Sequence, residues 1–236
     1  MLDIHPRHLP VLLKNDIFNG IHVRQVPHAL SYLNAHMEEY DKGEMIVRLG
    51  DKVRAGIILQ GRARVSYYDE SFNPMAVDHL LEGFTFGQAA TCAVGYTAQI
   101  ELVAVAYTKV VRLDFDPILN PCCDASLPEH HHVLASNIIR SVSQHAVLLH
   151  NRLRIVGQKT VRDRLKLYLE HLTDGQHEWV HIPFSMSDLA MHLNSDRSAL
   201  YKEIRLLKEE GILEWNKRRV RVHRHDFGQG SQDALK

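Results

Sequence analysis

Cysteine is scarce in this 236-residue chain: three thiols cannot build a disulfide framework, so a reducing compartment, the cytoplasm, is expected. Long hydrophobic runs are missing too. No apolar stretch approaches the ~18–20 residues of a spanning helix, and the opening MLDIHPRHLP does not read as a signal peptide, so no membrane partner is expected. Net charge is also absent, with 28 Lys and Arg against 28 Asp and Glu. The remaining composition is that of a globular protein, 45% hydrophobic and 24% charged, which argues against a largely disordered chain. At ~100–200 residues per domain the length suggests one or two domains.

The zero net charge hides an asymmetry. Residues 1–150 carry 12 Lys and Arg against 16 Asp and Glu, whereas residues 151–236 carry 16 against 12. A basic half beside an acidic one hints at a nucleic-acid or other anionic partner for the basic half.

From about residue 40 to 115 the acidic half is punctuated by Gly43, Gly50, Gly56, Gly61, Gly83, Gly87 and Gly95. Between them lie short β-rich runs, among them Gly56 to Leu59 and Val103 to Tyr107. After Gln60-Gly61, the stretch Arg62 to Tyr67 alternates polar and apolar residues, the mark of a half-buried strand entered through a tight turn. Many short strands at regular spacing predict an antiparallel β-roll. Leu30, Leu33 and Met37 predict a small helix within Pro27 to Tyr40. A cupin-type metalloenzyme on such a roll would need about three inward ligands, yet residues 40–78 hold no histidine and His79 stands alone. No metal and no catalytic residues are expected.

After Asp116-Pro117, Asn120-Pro121 and Pro128, no Pro or Gly occurs from Glu129 to Val156. Ala135, Ile139, Val142, Ala146, Leu149, Leu153 and Val156 repeat at alternating spacings of four and three, a helix-packing seam. Leu134, Ile138, Leu148 and Ile155 form a neighbouring stripe. A helix with two apolar faces is expected to bury one on its own roll and the other on a second subunit, giving a homodimer.

The basic half holds the clearest motif. Val161, Leu165, Tyr168 or Leu169, and Leu172 form an amphipathic stripe that stops near Asp174-Gly175. Ser185 or Ser187 caps a short helix with Leu189, Ala190 and Leu193. Asn194-Ser195 makes the turn, and Asp196 to Glu210 gives a second helix with Leu200, Ile204 and Leu207 on one face, ended at Gly211. Arg197, Ser198, Tyr201, Lys202 and Arg205 lie off that seam. Two short strands, Ile212 to Trp215 and Val220 to His223, flank the basic turn Asn216 to Arg219. A helix, a helix-turn-helix and a basic hairpin in this order form a winged DNA-binding layout. Lys217, Arg218 and Arg219 are then expected on DNA phosphates.

Over about residues 15–225 the chain resembles the Crp/Fnr family of bacterial transcription regulators. The resemblance is carried by Ile17 to Gly20, Gly43 to Ile46, Gly50-Asp51, Ile57 to Val65, Leu81 to Gly87, Met186 to Ala190, Leu193 to Leu200 and Leu207 to Ile212. It implies an α+β chain: an effector-sensing β-roll over 1–125, a dimerisation helix and hinge over 126–157, and a winged helix-turn-helix over 158–225. Residues 226–236 read as a flexible tail. Arg197, Ser198 and Lys202 fall on the family's base- and phosphate-contacting positions, with Ser195 ahead of them and a less typical Tyr201 between. Double-stranded DNA is the implied partner, with RNA polymerase if the protein activates. A signalling module without DNA binding is the alternative, but it would not need Arg197, Lys202 or the basic wing.

The departures bear on the effector. Family members that bind cyclic AMP use a Gly-Glu pair and an Arg-Ser/Thr-Ala stretch; here these read Gly87-Gln88 and Tyr96-Thr97-Ala98. A phenol cannot replace the bidentate, charged hydrogen bonds of a guanidinium, so the expected effector is a small molecule other than cyclic AMP. The family's oxygen sensors use cysteines near the N-terminus, whereas the first here is Cys92, so no iron–sulfur cluster is expected. Cys122 and Cys123 with His130, His131 and His132 read as a polar loop and helix start rather than as the alternative, a metal or redox site, since adjacent helical residues diverge by about 100°. His145 reads as a hydrogen-bonded interior residue, with a ligand or haem contact in the roll's pocket as the alternative.

Overall fold

The computed structural model describes residues 5–68, 74–93, 97–121, 127–173 and 178–223, with backbone alone for 74–77. The chain divides into two units, residues 1–73 with 79–148 and residues 74–78 with 149–236. Cys122, Cys123, Tyr96, Asp174-Gly175 and the expected tail 226–236 lie outside the described residues.

The first unit begins with two short helices, α1 (Leu9–Lys14) and α2 (Val26–Tyr32). One antiparallel sheet follows the order β1-β8-β3-β6, from His36–Tyr40, Thr108–Leu113, Ala55–Gln60 and Thr85–Phe86. The other follows β2-β7-β4-β5, from Met45–Val47, Ile100–Ala104, Arg62–Tyr68 and Pro74–Leu81. In β4 the alternation holds from Arg62 to Val65, with Ala63 and Val65 buried and Arg62 and Arg64 exposed, and breaks at Ser66, which is buried as well. In β3 the apolar run is unbroken because both faces are covered. Ala55, Ile57 and Leu59 join Leu12, Phe18, Leu30, Leu134 and Ile138 in one core. Ile58 turns inward to Val65, Leu102 and Val110. Between β3 and β4, Gly61 has φ +86°, and a Cβ there would lie 2.3 Å from the Tyr107 carbonyl oxygen. Only glycine fits this turn.

Two sequence expectations are corrected here. The helix expected within Pro27 to Tyr40 stops at Tyr32, Asn34 takes a left-handed φ of +46°, and Met37 belongs to β1. Its helical spacing from Leu33 is coincidental: β1 pairs with β8 over its whole length, and Met37 packs on the same core from a strand. The run Val103 to Tyr107 is not one strand either, because β7 ends at Ala104 and residues 105–107 turn into β8.

After α3 (Gln88–Cys92) and α4 (Asp116–Leu119) comes the 26-residue α5 (His131–Val156). Leu134 and Ile138 bury on the roll core, and the Asn137 amide donates to the Ile17 and Asn19 carbonyls at 3.1 and 2.6 Å. His130 and His131 are interior rather than polar-loop residues. Both pack edge-on against Tyr32, whose hydroxyl lies 2.9 Å from His131 Nδ1.

The second unit comprises α6 (Val161–Thr173), α7 (Met186–His192), α8 (Arg197–Glu209) and a three-stranded sheet. Its strand order is β10-β11-β9, from Leu213–Asn216, Arg219–Val222 and Val180–His181. Leu165, Leu169, Leu189, Leu193, Leu200 and Leu207 share its core with Val220 and Val222. At about 1.5–3 kcal/mol per buried large aliphatic side chain, this apolar cluster is the main force holding helices to sheet. Among the described residues no helix is long and apolar enough to cross a membrane.

Candidate functional site

The two-helix element is built by local chemistry. Ser185 Oγ accepts the Asp188 N–H at 3.1 Å and donates to its carboxylate at 2.8 Å, starting α7. Asn194 then takes φ +46°, and the Ser195 N–H returns to the Ala190 carbonyl at 2.9 Å, so the chain reverses into α8. Arg164 of α6, which sequence reading missed, pins this turn by donating to the Asn194 carbonyl at 2.6 Å. Arg162 and Glu210 pair side by side, one bond at 2.8 Å, and tie α6 to the end of α8. That contact holds the Glu210 carboxyl below its usual range. These two arginines belong to the basic half yet serve its interior architecture.

A different set of cations faces outward. Arg197, the first residue of α8, is exposed beside Ser198, Tyr201 and Lys202, and its guanidinium lies 5.4 Å from the Tyr201 ring centre. Lys217 and Arg218 in the hairpin turn and Arg219, the first residue of β11, are exposed, and the Trp215 indole N–H fixes the turn by donating to the Lys217 carbonyl at 3.0 Å. Among the described residues, Arg197, Lys202, Lys217, Arg218 and Arg219 form no salt bridge, unlike Arg221, which faces Glu214 at 3.9 Å. A cleft of about 260 Å³ brings Ser185, Ser187, Arg197, Tyr201, Lys217 and Arg218 together. Ser195 stays in the turn, its hydroxyl 3.3 Å from the Ala190 carbonyl. The surface therefore presents a fork-shaped donor at a helix start and unpaired cations on a hairpin, within one unit.

The expected effector residues do not converge among the described residues. Gly87, with φ +72°, leaves no room for a Cβ, which would lie 2.7 Å from the Arg54 carbonyl. Gln88 is 4% exposed and lines a polar cleft of about 150 Å³ with Asn15, Thr85, Ser141, Gln144 and His145. His145 does reach a pocket of the roll. Thr97 and Ala98 instead hold the loop at residues 50–52: Ala98 exchanges 2.8 Å hydrogen bonds with Gly50 and Asp51, and Thr97 bridges Lys52. No group of three His, Cys, Asp or Glu side chains suited to a metal occurs among the described residues.

On α5 the seam expected to meet a second subunit is largely uncovered. Ile139, Leu149 and Leu153 are 67%, 40% and 68% exposed, while Ala135 is half-buried against the roll core. Leu148, expected in the neighbouring stripe, is exposed too, whereas Ile155 enters the core of the second unit.

No family model matches the chain, and no curated protein does. Solved structures do match. One is the c-di-GMP responsive global regulator CLP of Xanthomonas campestris, at 14% identity and a TM-score of 0.65, covering 86% of this chain and 99% of that one. FixK2 from Bradyrhizobium japonicum matches at 16% identity and a TM-score of 0.59, covering 80% and 92% respectively. A CRP/FNR-family transcriptional regulator from Thermus thermophilus matches at 19% identity and a TM-score of 0.55, covering 80% and 93%.

Proposed function

We propose that this chain, which has the fold of the Crp/Fnr regulators, is a sequence-specific DNA-binding transcription regulator. The observation that carries this reading is that Arg197 at the start of α8 and Lys217 and Arg218 in the hairpin turn are exposed, form no salt bridge among the described residues and border one cleft. Arg197 is assigned to base reading, because its planar fork can span O6 and N7 of a guanine, with Ser198, Tyr201 and Lys202 beside it. Lys217, Arg218 and Arg219 are assigned to the phosphate backbone.

The protein acts as a homodimer through the exposed apolar seam of α5 and reads an inverted repeat, its half-sites one helical turn, about 34–36 Å, apart. A small effector other than cyclic AMP binds in the roll and biases the dimer between DNA-competent and incompetent states. RNA polymerase is a partner if regulation is positive. The chain works by binding alone, without catalysis. Gel-shift titration on fragmented genomic DNA at two salt concentrations tests the reading: retarded fragments whose affinity falls steeply with salt are expected. Absence of any shift, with and without small molecules from cell extract, refutes it.

A further inference from the structure

The roll contains a charged cluster that none of the roles above uses. Arg112 and Val110 are two residues apart on β8 and share a face, and Val110 belongs to the apolar interior of the roll. Arg112 is only 7% exposed, and its guanidinium centre lies 5.2 Å from the Phe86 ring centre. Its Nε donates to Glu38 at 2.5 Å, and its Nη2 donates to the Ile46 carbonyl at 2.7 Å and the Tyr40 hydroxyl at 3.0 Å. Among the described residues Nη1 has a single partner, the Arg54 carbonyl at 3.4 Å. A guanidinium carries five N–H groups, so this end of Arg112 keeps donor capacity unspent.

Glu38 does not compete for that role. Its Oε2 already accepts from both Arg112 and the Tyr40 hydroxyl, and its Oε1 lies 3.4 Å from His36. Around the cluster opens a cavity of about 370 Å³, rimmed by the exposed side chains of Asp51, Lys52 and Arg54. That size is within the ~300–1,000 Å³ of small-molecule sites. Neither Lys52 nor Arg54 forms a salt bridge among the described residues. The lining therefore holds three cations against two carboxylates, of which Glu38 is already bonded. The cavity includes none of Gly87, Gln88, Thr97 or Ala98 and is separate from the cleft that contains Gln88.

We propose that this mouth of the roll binds a small organic oxyanion, a carboxylate or a phosphate, held by Arg112, Arg54 and Lys52. A buried arginine with its own carboxylate is costly to maintain for stability alone, and two free cations at the opening of the same cavity supply the attraction such a ligand needs. The location also links it to the rest of the roll. Lys52 bridges Thr97 through the backbone, and the Arg54 carbonyl abuts Gly87 at the start of α3.

Calorimetric titration of the full chain with inorganic phosphate and, separately, with succinate at constant ionic strength tests the proposal without DNA. Failure of the DNA reading would therefore leave it standing. Saturable binding below about 10 mM is expected in at least one arm, and the stronger arm identifies the head group. Lys52→Gln with Arg54→Gln should weaken it at least tenfold while leaving the ligand-free melting temperature unchanged, since both side chains are exposed. Gln88→Ala should change it less than twofold. Saturation in neither arm, wild-type affinity in the double variant, or loss of binding in Gln88→Ala would each overturn the assignment.

Discussion

A cation on this protein has one of two fates, and the distinction is made residue by residue. Arg162 and Arg164 are committed to Glu210 and to the Asn194 carbonyl, whereas Arg197 and Lys217 have no charged partner among the described residues. Their substitutions should differ in kind. Arg197→Ala should cost about 1–3 kcal/mol on a true operator and erode preference over scrambled DNA. Lys217→Ala should weaken both DNAs alike and lower the salt slope by about one. Equal losses on both DNAs for Arg197→Ala, measured by competition gel shift, would remove it from base reading.

A histidine gives a second residue-scale outcome. Burial, with His28 and His131 nearby and only Glu129 opposing, holds the His130 imidazole below its usual range, next to the Tyr32 ring. The unfolded chain, with the ordinary value of ~6.5, takes up this proton more readily than the folded protein, so the contribution to stability is present above that pH and lost as pH falls. The melting temperature should fall from pH 7.5 to 5.5, and less steeply in His130→Phe; an identical slope would contradict the assignment. Neither this interior histidine nor Arg112 was legible in the sequence. A histidine triplet reads as polar, and one arginine within Thr108 to Leu113 shows no sign of being the inward one until β8 is paired.

At the scale of elements, period and glycine placement carried most of the information. The alternation from Arg62 to Val65, the Asn194 turn, the Ser185 cap and the Gly211 stop all lie where their local chemistry placed them. The helix misread within Pro27 to Tyr40 shows the limit, because three apolar residues at helical spacing also suit a helix followed by a strand over the same core. Gly61→Ala should destabilise the roll by about 1–3 kcal/mol in denaturant titration, through left-handed strain and the clash with Tyr107. A cost near zero would mean that the turn can relax. For α5, Leu149→Glu should halve the mass in light scattering while leaving the fold intact, since Leu149 is 40% exposed in the single chain. An unchanged dimer mass would place the subunit contact elsewhere.

For the whole molecule, the proposed function divides sensing and DNA binding between the acidic first 150 residues and the basic remainder, in line with the split of charge. Against the family pattern that the sequence resembles, Gln88 and Tyr96 stand where a carboxylate and a guanidinium would hold cyclic AMP, so two charge-assisted bonds are expected to be missing. Each such bond is worth ~1.5–3 kcal/mol, so affinity should be at least roughly a hundredfold below that of a site that has them. Low-micromolar cyclic AMP binding by calorimetry would contradict this. Sequence-specific DNA binding is checked by sequencing the genomic fragments that the immobilised 236-residue chain retains at near-physiological salt. One inverted repeat, its half-site centres about 10–10.5 base pairs apart, should be enriched, and Arg197→Ala should lose that enrichment. Retention of fragments with no shared repeat, or of none, with or without cell-extract small molecules, would contradict it.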